Sequence, residues 1–185
     1  DAVRAYLMFF ARWDKGAPWS SSGIEGVSRW LQRVWGIATQ LTDAVTGVDA
    51  PDRQARDLRR KMHQTIQQVT HDMGNFEFNT VISALMEFTN ALSAAGKSGL
   101  VGSEVYVEGV ETLLKLMAPV TPHISEELWG RLGGPYSVHQ QSWPVADPAA
   151  AAAEEITLVL QVNGKVRDRL IVPADIRAEA AKARA

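Results

Sequence analysis

Residues 24–45, IEGVSRWLQRVWGIATQLTDAV, are the central stretch of the predicted fold. Apolar residues in this stretch are alternately three and four positions apart, which places them on one face of an α-helix. They are Ile24, Val27, Leu31, Val34, Ala38, Leu41 and Val45. Trp30 and Trp35 lie beside this stripe and widen it, and Ser22 with Glu25 has the spacing of a capping box at the start of the helix. So broad an apolar surface is typical of a helix at the centre of a bundle.

The same helical spacing recurs on both sides of this stretch. It predicts a short helix over residues 1–11 and further helices over residues 52–73, 79–95, 103–117 and 121–132. Asn79 and Thr121 are the expected caps of two of them, and Pro122 suits a first helical position. Trp13 and Trp19 fall in the loop between the first two helices, so we expect this loop to pack down onto the bundle.

A different pattern begins near the C-terminal end of the sequence. Residues 144–153 are rich in proline and alanine, which predicts a linker. Beyond them the apolar residues alternate with period two, and Asn163-Gly164 is a strong signal for a tight hairpin turn. The fold class predicted is therefore mainly α, a helical bundle followed by a small α/β module that starts with a β-hairpin.

Composition limits the classes of function. The chain has 185 residues, 46% of them hydrophobic and 22% charged, which is typical of a globular protein. It has no cysteine, so disulfides and thiolate catalysis are excluded, and no apolar run is long enough to span a bilayer. The formal net charge of −2 argues against indiscriminate coating of nucleic acid but allows local basic patches.

Basic side chains cluster on two predicted helix faces and on one strand. The candidates for phosphate contacts are Arg29, Arg33, Arg56, Arg59, Arg60 and Lys61 on the bundle, and Lys165, Arg167 and Arg169 on the hairpin. The alternative is that these are ordinary solvated faces. The phosphate hypothesis requires that the side chains are not held in internal ion pairs.

The residues give no comparable support for catalysis. Gly96-Lys97-Ser98 resembles the end of a phosphate-binding loop but lacks the first glycine and the preceding strand. His123, Glu126 and Glu127 share a predicted helix face, so a free-standing metalloenzyme using His123 and Glu126 remains an alternative that predicts bound metal. We assign no catalytic, cofactor-binding or metal-binding residue.

The sequence as a whole resembles the C-terminal region of bacterial leucyl-tRNA synthetases. The resemblance lies in residues 1–10 (DAVRAYLMFF), 13–16 (WDKG), 22–27 (SGIEGV), 31–35 (LQRVW), 78–80 (FNT), 84–87 (ALME), 117–129 (MAPVTPHISEELW), 137–139 (SVH), 143–144 (WP) and 161–167 (QVNGKVR). The segment around Pro122 and His123 is shared with the valyl and isoleucyl enzymes, whereas the hairpin segment 161–167 points to leucine.

The resemblance implies a domain organisation and a role. Residues 1–21 would end a stem-contact segment, residues 22–145 would form the helical anticodon-binding-type domain, residues 146–154 the linker and residues 155–185 the start of a truncated C-terminal tRNA-binding module. In this family the enzyme joins leucine to its tRNA using ATP with magnesium, and the catalytic motifs and editing domain lie upstream. Neither a HIGH-type nor a KMSKS-type motif occurs in this sequence.

The resemblance therefore implies a tRNA-docking part of a ligase that catalyses nothing by itself and holds no cofactor. The implied partners are tRNA(Leu) and the upstream catalytic and editing domains, with no membrane, in a cytoplasmic and monomeric protein. A helical protein–protein interaction scaffold without RNA binding is the alternative.

Overall fold

Seven α-helices and two β-strands follow one another in the part of the chain that the structure, a computed structural model, describes, namely residues 1–16, 18–152, 155–162 and 165–173. The helices are α1 (Ala2–Phe9), α2 (Ser21–Thr42), α3 (Asp52–Gly74), α4 (Phe78–Lys97), α5 (Glu104–Met117), α6 (Pro122–Arg131) and α7 (Pro148–Ala151). The strands are β1 (Glu155–Val162) and β2 (Lys165–Pro173). The chain divides into two units, Asp1–Ala151 and Ala152–Ala185, and the mainly α fold class with a helical bundle is confirmed.

The predicted stripe on α2 packs into the core of the bundle. Val27, Val34 and Ala38 are at most 1% exposed, and α2 contacts α1, α4, α5 and α6. The helix ends at Thr42, so Val45 lies beyond it and is exposed. Because each large apolar side chain that is buried contributes roughly 1.5–3 kcal/mol, this stripe is a major source of the stability of the bundle.

Two of the three predicted helix caps are wrong, and the third is at its predicted position. Ser22 does not cap α2, which begins at Ser21 after Ser20; the Ser22 hydroxyl lies 3.0 Å from that of Ser20 instead. Asn79 lies inside the first turn of α4, whose N-cap is Glu77. Thr121 is the N-cap of α6 and Pro122 opens the helix, as predicted, although the Thr121 side chain makes no capping hydrogen bond. The two wrong predictions, Ser22 and Asn79, each placed a capping residue type within two positions of the true N-cap, because helix boundaries are the least certain feature of a sequence pattern.

The start of α6 is capped by a residue far away in the sequence. The Asp1 carboxylate accepts a 2.7 Å hydrogen bond from the backbone amide of Ile124, and its other oxygen lies 3.0 Å from Nδ1 of His123. A carboxylate at this position satisfies a free amide and lies favourably in the field of the helix dipole. Asp1 therefore attaches the beginning of α1 to α6.

The loop between α1 and α2 is less buried than its tryptophans suggest. Trp13 is 63% exposed and Trp19 is 56% exposed, so the expected packing of this loop is only partial. Each indole touches one aromatic ring edge to face, Trp13 on Phe78 and Trp19 on Tyr6.

The segment predicted as a linker lies along α3. Trp143 donates a 2.8 Å hydrogen bond from Nε1 to Thr70, and the backbone amide of Asp147 donates to Nδ1 of His63 at 3.1 Å. Farther along, the Gln64 side chain donates to the carbonyl of Ala151. Residues up to Ala151, including α7, thus belong to the same unit as the bundle.

The two strands of the second unit pair antiparallel, as the alternating pattern predicts. The register runs from Glu155 opposite Pro173 to Val162 opposite Lys165, with a shift between Leu160 and Gln161 that leaves Arg167 as an extra residue. The strict alternation predicted for this strand is therefore interrupted at Arg167. The predicted turn at Asn163-Gly164 and residues 174–185 lie outside the described residues, so the α/β module is not supported beyond these two strands.

No helix among the described residues is long and apolar enough to cross a membrane.

Tyr106 on α5 carries a buried hydroxyl with no hydrogen-bond partner among the described residues. Burial raises the pKa of this phenol above its ordinary value. The folded state therefore holds the phenol proton more tightly than the unfolded state does. This difference contributes stability that is fully present below pH ~10, the ordinary pKa of tyrosine, and that is lost as the pH rises through the folded-state pKa.

We expect Tyr106→Phe to raise the free energy of unfolding at pH 7 by about 1 kcal/mol, because the unpaired hydroxyl is removed. The variant should also lose less stability than the unaltered chain between pH 7 and pH ~10.5. Urea unfolding at both pH values measures this, with the exposed Tyr136→Phe as control. A destabilised Tyr106→Phe variant would show that the hydroxyl has a partner.

Candidate nucleic-acid interface

The buried stripe of α2 directs its basic residues outward. Arg29 and Arg33 are both exposed and lie one turn apart on the helix. Arg29 is 3.8 Å from the carboxylate of Glu25, one turn earlier. Arg33 makes no ion pair within the described residues, which leaves its guanidinium available to an external anion.

Two of the predicted cations on α3 form short ion pairs. Nη2 of Arg60 is 2.9 Å from Asp57 on the same helix. Nζ of Lys61 is 2.7 Å from Glu87, which links α3 to α4. Both cationic side chains are also less exposed than their partners, at 22% and 31%. These two are the bundle candidates least available to phosphate.

The remaining two α3 candidates differ from this pattern. Arg59 lies 3.8 Å from Glu108 on α5, and both side chains are about half exposed. Arg56 is exposed on the same helix and has an interaction partner of its own.

Four of the six bundle candidates therefore contact a carboxylate, contrary to what the phosphate hypothesis requires. The pairs of Arg29 and Arg59 are long and well exposed, however, and exposed pairs typically contribute only about 0–1 kcal/mol. A phosphate that approached either guanidinium could replace the carboxylate at small cost. Arg33 is thus the candidate most available to phosphate. Arg29 and Arg59 come next, and Arg60 and Lys61 are the least available.

The candidate residues do not include every exposed cation of the described residues. Arg4 on α1, Lys15 in the following loop and Arg53 in the first turn of α3 make no ion pair in the described ranges. Arg4 and Lys15 are isolated basic residues, which give no signal in a sequence, whereas Arg53 belongs to the charged face of α3. The same face of α3 that carries Arg56 is extended by Arg53.

On the hairpin, one candidate is described in full. Arg167 is exposed and lies at the irregular position of β2. The backbones of Lys165 and Arg169 belong to the same strand, and their side chains lie outside the described residues.

The two carboxylates of the group His123, Glu126 and Glu127 on α6 bind to other residues of the bundle. Glu126 accepts hydrogen bonds from Ser137 and from the backbone amide of Val138, and Glu127 pairs with Arg131 at 2.8 Å. These contacts point the two carboxylates to different partners. Among the described residues no group of three or more His, Asp or Glu side chains could hold a metal ion.

Comparison with known proteins gives a consistent result. The family described as "Anticodon-binding domain of tRNA ligase" matches residues 55–182. A leucine–tRNA ligase from Dehalococcoides mccartyi is 47% identical over 182 residues, covering 98% of this chain and 22% of that protein. One from Synechococcus sp. is 41% identical over 197 residues, covering 97% of this chain and 22% of that protein.

A solved structure is similar over the whole chain. It is that of the leucyl-tRNA synthetase from Agrobacterium radiobacter K84 in a ternary complex with tRNA and LeuAMS. The TM-score is 0.78 at 30% identity, covering 99% of this chain and 24% of that one. The chain thus spans about a fifth of the length of the curated relatives it matches. The match to the family over residues 55–182 and the relatives at 41–47% identity confirm the resemblance read from the sequence: this chain belongs to the family of anticodon-binding domains of tRNA ligases.

Proposed function

We propose that this chain is the tRNA-docking part of a leucine–tRNA ligase and binds tRNA(Leu). The observation that carries the proposal is the match of nearly the whole chain, in sequence and in fold, to leucine–tRNA ligases, one of them solved with tRNA. The joining of leucine to tRNA, with ATP and magnesium, would be carried out by other domains of the same ligase. We place this protein in the cytoplasm, as a monomer without a cofactor of its own.

The proposed binding mode is contact with the phosphate backbone. Arg33 is exposed and unpaired within the described residues, and Arg29 and Arg59 have long, exposed pairs that a phosphate can displace. Guanidinium groups suit phosphate because their planar donors match its oxygens. Contacts of this kind fix the position of the RNA and read no sequence, so specificity for tRNA(Leu) would come from the shape of the folded RNA.

The affinity of the chain for a tRNA(Leu) transcript is expected to fall linearly with salt on a logarithmic scale, because phosphate contacts release counterions. Arg33→Ala and Arg29→Ala should each reduce the slope by about one unit. Fluorescence anisotropy between 50 and 200 mM salt measures both. Gln32→Ala, an exposed neutral residue between them on α2, is the matched control and should leave the slope unchanged.

Removing a competing carboxylate gives a test of opposite sign. Glu108→Gln deletes the partner of Arg59 and keeps the shape of the side chain. If Arg59 binds phosphate, this variant should bind tRNA more tightly than the unaltered chain. A salt-independent affinity, together with no effect of these substitutions, would contradict the phosphate mechanism.

The ion pairs of Arg60 and Lys61 favour a second candidate, a helical protein–protein interaction scaffold. Such a scaffold predicts that the chain and an unrelated helical bundle bind tRNA equally poorly at 50 mM salt. Binding by this chain alone excludes the scaffold as the full explanation.

A further inference from the structure

Three aromatic rings form a continuous cluster beside the α1–α2 loop. This aromatic cluster consists of Trp13, Phe78 and Phe76, with ring centroids 4.8 Å apart for the first pair and 5.6 Å for the second. The two outer rings remain uncovered, Trp13 at 63% exposure and Phe76 at 68%. The cluster thus presents two free aromatic surfaces that are held in place by a shared central ring.

The conformation of Phe76 is unfavourable for stability. Its φ angle is +59°, in the left-handed region that a bulky side chain rarely adopts. Neighbouring Asn75 is the kind of residue that tolerates this conformation, and it has an ordinary negative φ of −99°. The exposed ring also gains no free energy from burial. Packing therefore explains neither the positive φ of Phe76 nor the exposure of its ring.

A polar cleft of about 270 Å³ lies next to the cluster, between the loop and the start of α4. Its lining includes Arg12, Trp13, Asp14, Phe76, Glu77 and Asn79. Arg12 and Asp14 neutralise each other at 3.0 Å. The side chains of Glu77 and Asn79 make no hydrogen bond to any other residue that the structure describes, so both can serve a ligand.

We propose that this cleft binds one unpaired nucleobase of a bound RNA, with guanine as the best-matched base. A base stacked on Phe76 or Trp13 gains from the aromatic surface. The Glu77 carboxylate and the Asn79 amide oxygen offer acceptors for the two N–H donors on the Watson–Crick edge of guanine. The Glu77 carboxylate makes no ion pair with another described residue, and its negative charge repels phosphate, which points to the base and away from the RNA backbone. This inference rests on the proposed function, because the RNA must be bound for its base to reach the cleft.

The test uses variants that separate the ring from the backbone. Phe76→Asn removes the ring and keeps a residue that tolerates a positive φ, whereas Phe76→Tyr keeps the ring. We expect Phe76→Asn to weaken binding of the tRNA(Leu) transcript by about tenfold to a hundredfold, with an unchanged salt slope, and Phe76→Tyr to bind as the unaltered chain does. Tyr136→Asn, at a ring 82% exposed and outside the cluster, is the control and should have no effect.

The identity of the base is tested with two short RNA probes, UUGUU and UUAUU. The unaltered chain should bind UUGUU more tightly, and Glu77→Gln should reduce this preference because it exchanges one acceptor oxygen for a donor. Equal binding of the two probes would overturn the assignment of guanine.

The outcomes distinguish this inference from the proposed function. Salt-dependent binding of tRNA with no change in Phe76→Asn overturns the nucleobase site and leaves the docking function intact. Absence of tRNA binding by the unaltered chain overturns both. Loss of self-association in Phe76→Asn, with tRNA affinity unchanged, would assign the cluster to a protein interface and overturn the proposal.

Discussion

Trp30→Ala is expected to lower the free energy of unfolding by about 3–5 kcal/mol, a loss that approaches the total stability of many domains. Trp30 is completely buried on α2, so removing its indole leaves a large cavity in the middle of the bundle. The indole also donates a 2.9 Å hydrogen bond to the hydroxyl of Thr89 on α4. That hydroxyl donates in turn to the carbonyl of Leu85, so the alanine variant leaves its acceptor side unpaired in the core.

Urea or thermal unfolding followed by circular dichroism measures this effect. Trp35→Ala is a matched control, because it removes the same side chain from the same helix at a position that is 36% exposed. Trp35 lies beneath the guanidinium of Arg131, so its loss should cost about 1 kcal/mol. Trp30→Phe retains most of the volume and should be intermediate. Equal destabilisation by Trp30→Ala and Trp35→Ala would contradict the placement of Trp30 in the core.

These two tryptophans show that burial at the edge of a helical stripe cannot be predicted from the sequence. Spacing along α2 correctly predicts that Val27, Val34 and Ala38 face the core. Trp30 and Trp35 both lie at the edge of that stripe, so the helical period predicts the same degree of burial for both. Which edge is covered depends on where α4 and α6 pack, and that is a property of the fold.

In the candidate interface, ion pairs within one helix can be predicted from the sequence, but ion pairs between helices cannot. The pairs Glu25–Arg29 and Asp57–Arg60 have i,i+4 and i,i+3 spacing, so they are predictable from the sequence. Lys61 is neutralised instead by Glu87, 26 residues away on another helix. A cluster of arginines and lysines in a sequence therefore overestimates the cationic surface that a folded bundle offers to RNA.

The nucleobase cleft was invisible to the sequence for a related reason. Trp13 and Phe76 are 63 positions apart in the numbering and meet only through Phe78. Nothing in the pattern of residues 75–80 indicates a positive φ at a phenylalanine. The sequence can predict an aromatic loop. The exposure of its rings and the polar residues beside them depend on the fold.

Gly102→Ala is expected to lower the free energy of unfolding by about 2–5 kcal/mol, combining a left-handed backbone with a steric clash. Gly102 has a φ of +84° and its carbonyl accepts hydrogen bonds from the amides of Gly47 and Val48. A Cβ added here would collide with the backbone carbonyl of Val45. Backbone on both sides of this contact is fixed, so a rotamer change cannot relieve the clash.

Gly99→Ala separates the two contributions. Gly99 has a similar φ of +88° but nothing within 4 Å of an added Cβ, so this variant should lose only about 1–2 kcal/mol. The difference between the two variants, measured by urea unfolding, reports how closely the loop after α2 approaches the start of α5. Since that loop leads into α3, the clash in Gly102→Ala should also displace the first turn of α3 and weaken tRNA binding beyond the effect of Gly99→Ala. Equal stability of the two variants would mean that the loop can retreat from Gly102, and the position of Arg53 and Arg56 relative to α2 would then not be fixed by this contact.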